Sequence, residues 1–262
     1  MAARHRVNTS DMQRLTSREV IFFGATSELA QWVLRIHAER SDSVTLIARD
    51  EQKLAAVAQD ASLRGANVSE SIVTDLADIE GSADLAKRLC QERDGNLIWY
   101  FFQGQLPDQQ IAQADREITQ KALDINFNAI ASSLHYIAEH IEQQGVGTVV
   151  VITSVAGLRG RQSNYIYGTG KGALNIYLQG LRNRLHPIGG KVVTVMPGFI
   201  KTAMTDGMSR DGFLWATPER VAKDVFKAAD KGQNICYTPW FWRYIMLIIR
   251  LVPEEIFKRL KL

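Results

Sequence analysis

The sequence sets a phenol and an amine where they can share a proton. In Tyr167-Gly168-Thr169-Gly170-Lys171 the Tyr and the Lys stand at i and i+4, on one face of a predicted helix. A cationic Lys beside a phenol lowers the phenol's pKa from its usual value of about 10. Such a Tyr can give a proton to a carbonyl oxygen while hydride arrives at the carbon. By itself this spacing is a common accident. Ser154 lies 13 residues before Tyr167, at the end of the apolar run Thr148–Thr153. Its hydroxyl is placed to hydrogen-bond a substrate oxygen, or else simply to form a strand-end turn. Asn126, in Asp124-Ile125-Asn126-Phe127, precedes that run on a long helical stretch. A buried helical Asn needs a partner, and holding a water in a proton relay would supply one; exposure at the surface is the alternative.

Elements must hold these groups in place. Short apolar runs at Val20–Phe23, Val44–Ala48, Val68–Val73, Leu97–Phe102, Thr148–Thr153, Val192–Met196 and Ile235–Tyr237 alternate with helical patterns. The helices are expected at Leu29–Arg40, Glu51–Leu63, Ile79–Arg93, Ile111–Gln143, Tyr167–His186 and Pro218–Lys231. Uniformly apolar strands are buried on both faces. Alternating β and α segments then predict a doubly wound parallel sheet, an α/β Rossmann arrangement that binds nucleotides at the carboxyl ends of its strands.

The first strand runs into Gly24-Ala25-Thr26-Ser27-Glu28-Leu29-Ala30. A Gly at the strand end allows a tight turn, and the helix that follows offers unpaired N–H groups to a pyrophosphate. Of a three-glycine fingerprint only Gly24 remains. Ala30 still permits close helix–strand packing, whereas the Glu28 carboxylate must turn away from a phosphate and is expected to cap the helix start. At the tip of the second strand Arg49 replaces the acid that would bind a ribose 2′-hydroxyl, which favours NADP(H) over NAD; a surface Arg pairing with Asp50 or Glu51 is the alternative. Asp75, followed by Leu76, is placed to bond an adenine amine or to cap the helix that starts near Asp78. Pro197-Gly198 breaks the sixth strand, and the backbone beyond it, with Ile200 and Thr202, is placed to hold a nicotinamide carboxamide.

Composition bounds the remainder. The 262 residues are 46% hydrophobic and 23% charged, ordinary values for one globular core. No linker interrupts 18–238, so one domain is expected there, after a disordered leader at 1–17 and before a tail at 239–262. The formal net charge of +3 comes from the two ends. It marks no basic face of the kind nucleic acid requires. Two cysteines, Cys90 and Cys236, form no disulfide framework, and five histidines show no metal-binding spacing, so no metal is expected. The leader lacks the apolar core of a signal peptide, and no stretch is long enough to span a bilayer.

Gly24, Arg49, Asp75, Asn126, Ser154, Tyr167, Lys171 and Pro197-Gly198, in this order, resemble the short-chain dehydrogenase/reductase family over residues 18 to about 237. The resemblance implies an Asn126-Ser154-Tyr167-Lys171 tetrad and an NADP(H)-dependent oxidoreductase. It places the cofactor against Gly24, Thr26, Ser27, Glu28 and Leu29, then Arg49, Asp75, Leu76 and Gly104, with Tyr167, Lys171, Pro197, Gly198, Ile200 and Thr202 at the nicotinamide end. It also implies a homodimer or homotetramer paired through the helices that carry Asn126 and Tyr167. One motif departs: Phe101-Phe102-Gln103-Gly104 stands where the family usually has Asn-Asn-Ala-Gly, which puts the usual bracing of sheet to helix in doubt.

The tail is the most unusual segment. Trp240–Val252, bounded by Pro239 and Pro253, combines aromatics, long aliphatics and two Arg. Such a helix suits a membrane interface, and equally a lid or dimer contact. At about 25 cal/mol per Å² of apolar surface it contributes several kcal/mol to either. With the 24–28 turn and the Ser154–Tyr165 loop, the tail looks like one bacterial subgroup, related to decaprenylphosphoryl-2-keto-erythro-pentose reductases. That resemblance implies a keto-sugar on a polyprenyl phosphate at the cytoplasmic membrane face, made by a flavin-dependent oxidase. Arg159 and Arg161 are candidates for its phosphate, with solvent exposure as the alternative. Reduction of another carbonyl, such as a 3-oxoacyl thioester, or a non-catalytic NADP-sensing role would leave the tail as lid or dimer contact.

Overall fold

The computed structural model describes residues 18–207 and 212–260; the expected leader at 1–17 lies outside them. Seven strands form one parallel sheet: β1 (Glu19–Phe23), β2 (Ser43–Ala48), β3 (Asn67–Val73), β4 (Leu97–Phe101), β5 (Thr148–Ile152), β6 (Lys191–Pro197) and β9 (Ile235–Thr238). Their order is β3-β2-β1-β4-β5-β6-β9, so the winding reverses between β1 and β4. In register, Phe23 pairs with Ile47 on one side and Phe101 on the other. A small parallel pair, β7 (Phe199–Ile200) with β8 (Trp215–Ala216), stands apart.

The alternation of side chains in β1 builds both halves of the core. Val20 and Phe22 face a layer formed with α1 (Glu28–Ala38), α2 (Glu51–Leu63) and α8 (Pro218–Lys231). Ile21 and Phe23 face α3 (Ile79–Glu92), α6 (Ala129–Gln144) and α7 (Tyr165–Leu185). Such strands are buried on both sides, as uniform apolarity requires. The expectation fails at β3: it is an edge strand, and its residues alternate, with Asn67, Ser69, Ser71 and Val73 exposed and Val68, Glu70 and Ile72 half-buried.

The single helix expected over Ile111–Gln143 is in fact four pieces. They are α4 (Gln109–Ala114), α5 (Arg116–Leu123), a π-helical turn at Asp124–Asn128, and α6. Asp108 and Asp115 make the breaks, each accepting backbone N–H groups of the turn that follows, as cap residues do. The π turn is the piece that positions chemistry, because it carries Asn126. After β9 the chain continues as α9 (Trp242–Leu251) and the short α10 (Glu254–Phe257). Among the described residues no helix is long and apolar enough to cross a membrane.

Candidate active site

The tetrad assembles at the carboxyl ends of β4 and β5. Ser154 lies two residues past the end of β5 and is 9% exposed; its Oγ accepts the Ala156 N–H at 3.1 Å. Tyr167 and Lys171 lie in the first and second turns of α7, half-buried and buried respectively. Lys171 Nζ donates to the Ile152 carbonyl at 3.1 Å and sits 5.9 Å from the centre of the Tyr167 ring. The chain closes tightly around this group. A Cβ on Gly104 would lie 3.0 Å from Asn126 Oδ1 and 3.1 Å from Lys171 Nζ, and one on Gly170 would lie 2.9 Å from the Asn126 Cβ.

Asn126 is fully buried, which excludes the surface alternative. Its Nδ2 donates to the carbonyls of Gln105 and Ala122, both at 2.8 Å, and its Oδ1 accepts the Gln105 N–H at 3.2 Å. Both amide hydrogens are thereby committed. The Asn126 side chain clamps the loop after β4 to the π turn. The clamp braces the stretch where the Asn-Asn-Ala-Gly motif is missing.

The electrostatics also depart from expectation. Burial pushes the Tyr167 phenol up to about 12, and the Ser154 hydroxyl hydrogen-bonded to it works weakly the other way. Burial brings the Lys171 ammonium down to about 8. The lowering of the phenol by Lys171 is therefore not seen in this chain. The amine is directed to a carbonyl rather than at the phenol, and desolvation outweighs any attraction across 5.9 Å. A phenol that stays protonated at neutral pH is suited to donate a proton.

The phosphate turn keeps its predicted place between β1 and α1. Gly24 has φ +84°, and a Cβ there would come within 2.8 Å of the Gln103 backbone nitrogen. Glycine is thus required by the close pass of the β4 loop as much as by any ligand. Ser27 occupies the N-cap without a side-chain cap bond, so the first-turn N–H groups are left for an anion. Glu28 is exposed in the first turn of the helix, and the cap position expected for it belongs to Ser27. Thr26 offers its carbonyl to Gln31 Nε2 at 3.1 Å, and Leu29 is buried.

Arg49 is exposed at the β2 tip, and its predicted alternative, pairing with Asp50 or Glu51, does not occur among the described residues; Asp50 instead caps α2 and meets Lys53. Asp75 is exposed and accepts the Ala77 N–H at 3.0 Å. It does not cap α3; Asp78 does. Leu76 is buried beside it. Past Pro197-Gly198, Ile200 lies in the β7–β8 pair and Thr202 caps a short turn at Ala203–Thr205.

Three features escaped the sequence reading. Gln103 is buried with both side-chain amide atoms unpartnered, beside Gly24. A buried amide without partners carries a cost of about 1–3 kcal/mol, so this one fits a polar ligand passing between the β1 and β4 loops. Trp242 lies directly over Gly198, where any Cβ would collide with the indole, and packs with Val155, Met196 and Phe199. Arg159 is spoken for: it pairs with Glu254 at 2.7 Å, donates to the Arg250 carbonyl and covers the Phe257 ring at 4.1 Å. It straps the tail down and is not a phosphate ligand. Arg161 behaves differently. Its Nε is buried without a partner, the nearby Asn164 Oδ1 is equally unpartnered, and burial alone lowers its guanidinium.

The profile of the short chain dehydrogenase family matches residues 18–212. The chain belongs to that family. An uncharacterised oxidoreductase of Mycobacterium tuberculosis is 31% identical over 243 residues, covering 92% of this chain and 96% of its own. Among solved structures, a short-chain dehydrogenase from Sphingobium yanoikuyae in complex with NADPH superposes with a TM-score of 0.78 at 20% identity, covering 90% of this chain and 97% of that one. A candidate NAD(P)-dependent gluconate 5-dehydrogenase from Beutenbergia cavernae, with NADP at low occupancy, gives 0.77 at 22% identity, over 88% and 98%. As a short-chain dehydrogenase the chain is an oxidoreductase with a single Rossmann-type sheet.

Proposed function

We propose that this short-chain dehydrogenase is an NADP(H)-dependent reductase of a carbonyl on an anionic, lipid-linked substrate, a keto-sugar carried by a polyprenyl phosphate. The observation that carries the substrate class is Arg161. A guanidinium half-buried on the loop between Ser154 and Tyr167, with no carboxylate beside it among the described residues, calls for an anion. The paired Arg159 leaves Arg161 as the cation for that role.

NADP(H) is supported by the uncapped α1 terminus, the unpaired Arg49, the orphaned Gln103 amide, and by the two structural neighbours, which bind NADPH and NADP. When bound there, it supplies the hydride for the carbonyl carbon. The chain's own groups do the rest. Ser154 Oγ holds the carbonyl oxygen, and the Tyr167 phenol gives that oxygen its proton. Lys171, anchored on Ile152, presents its positive charge to the phenolate that this leaves. The keto group itself must come from oxidation of the matching alcohol, a reaction suited to a flavin-dependent oxidase acting one step earlier.

The test is NADPH oxidation by the full chain with a polyprenyl-phosphoryl 2-keto-pentose beside a 3-oxoacyl thioester. Turnover of the keto-sugar, with little on the thioester, is the expected result. Turnover of the thioester alone would keep the tetrad and overturn the lipid-sugar substrate.

A further inference from the structure

Helix α9 divides into two apolar faces. Trp242 and Met246 are buried, with Ile245 and Ile249 packed beside them, and this inner face covers Val155, Met196 and Phe199 next to the tetrad. The outer face carries Trp240, just before the helix, then Tyr244, Leu247, Ile248 and Leu251. These stand at i, i+4, i+7, i+8 and i+11, and all are exposed, Ile248 to 67% and Leu251 to 72%. Ile256 and Leu260, beyond the helix, are exposed as well. An apolar stripe of this continuity on a surface helix marks a docking face.

We infer that the outer face of α9 docks on an anionic membrane surface, with the active-site loops turned toward the bilayer. Charge decides the occupant. Trp240–Val252 contains no acid, and Arg243 and Arg250 are exposed along one flank of the stripe with no ion pair among the described residues. Lys258 and Arg259 are exposed nearby; Glu254 is taken up by Arg159 and Glu255 by Lys258. Aromatics beside cations, with long aliphatics between them, match the headgroup boundary of an anionic leaflet. A second copy of the chain fits worse. Antiparallel pairing about a two-fold axis near Leu247 would bring Arg243 of one copy against Arg250 of the other. The ten residues of α9 rise only about 15 Å, half of a bilayer core, so the helix lies in the interface and does not cross it. The strap from Arg159 to Glu254 and the seat of Trp242 on Gly198 tie this surface to the catalytic loops. This inference stands whichever carbonyl is reduced.

The experiment is sedimentation of the full chain with phosphatidylcholine vesicles, with and without phosphatidylglycerol. Light scattering of the free protein gives the oligomeric state, and turnover of a soluble ketone reports folding. The account predicts binding to the anionic vesicles that weakens about tenfold or more in a Leu247→Glu, Ile248→Glu variant. It predicts a loss of about fivefold per residue in Arg243→Gln and Arg250→Gln, with soluble turnover unchanged in all. Absence of vesicle binding by the parent chain would overturn it, as would binding that the variants leave intact. A smaller oligomer in the Leu247→Glu, Ile248→Glu variant, with vesicle binding unaltered, would assign the face to a second copy instead.

Discussion

The two ends of the central sheet treat buried charge in opposite ways. At the amino end the buried ionisable groups are largely paired, although the His140 Nε2 is buried without a partner. His37 Nδ1 meets Asp42 at 2.7 Å and its Nε2 meets the Tyr100 hydroxyl at 3.2 Å, while Asp42 also accepts the Arg18 N–H. Arg93, also well buried, reaches Glu19 and Glu70, both at 2.8 Å. At the carboxyl end two cations, Lys171 and Arg161, are desolvated with no carboxylate beside them among the described residues. Gln103 and Asn164 there leave amide atoms unpartnered as well. The amino end resembles a finished structural network. In the proposed function, the groups of the carboxyl end would meet a carbonyl oxygen, a cofactor and an anionic substrate. Strain of this kind, concentrated in one place, is the mark of a site rather than of a scaffold.

Substitutions at the two ends therefore have opposite signatures. The largest effect is expected from Tyr167→Phe, which removes the proton donor and lowers kcat by about a thousandfold, while thermal unfolding is unchanged. At the other end, Asp42→Ala strands His37 and the Arg18 N–H and costs about 3 kcal/mol of stability in a denaturant titration. The kcat of the folded fraction is left alone.

Lys171→Met sharpens the contrast because it gains stability while losing activity. The folded chain holds the Lys171 proton only below about 8, whereas its ordinary value is 10.5. Between those limits the unfolded chain binds more protons, so wild-type stability rises with pH across that window. Below it the buried charge is a full burden, and at neutral pH the Met variant is expected to be more stable by about 1–3 kcal/mol, allowing for the lost bond to the Ile152 carbonyl. The advantage fades as pH climbs through the window, and denaturation at neutral and at alkaline pH checks it. Arg161→Gln is expected to raise KM about tenfold for an anionic substrate, with kcat and stability nearly constant. An equal loss on a neutral ketone would mean that Arg161 shapes the loop and does not read charge. The smallest effect belongs to Arg159→Ala: Glu254 is largely exposed, and the pair is worth at most about 1 kcal/mol.

Much of this contrast was legible in the residues. Apolar runs placed β1, β2 and β4 through β6 within a residue or two, because strands buried on both faces admit little else. The spacing from Ser154 to Tyr167 and Lys171 located the tetrad, since a helix face makes i and i+4 neighbours. What stayed hidden depends on contacts distant in sequence. Nothing local distinguishes Arg159, which reaches 95 residues along the chain to Glu254, from Arg161, two positions later, which meets no acid among the described residues. The seat of Trp242 on Gly198 and the clamp of Asn126 on Gln105 are likewise tertiary. The π turn at Asp124–Asn128 was missed because its side chains continue a helical pattern. The pKa of Tyr167 was misjudged because burial, not the neighbouring amine, controls it.

The central claim is that Tyr167 protonates a carbonyl as hydride reaches its carbon. The direct measurement is mass spectrometry of the alcohol formed from the polyprenyl-phosphoryl 2-keto-pentose with NADPH deuterated at the transferable position of the nicotinamide. The account predicts one deuterium on the new carbinol carbon with the parent chain, and essentially no labelled product with Tyr167→Phe. Labelled alcohol formed at an undiminished rate by Tyr167→Phe would contradict it.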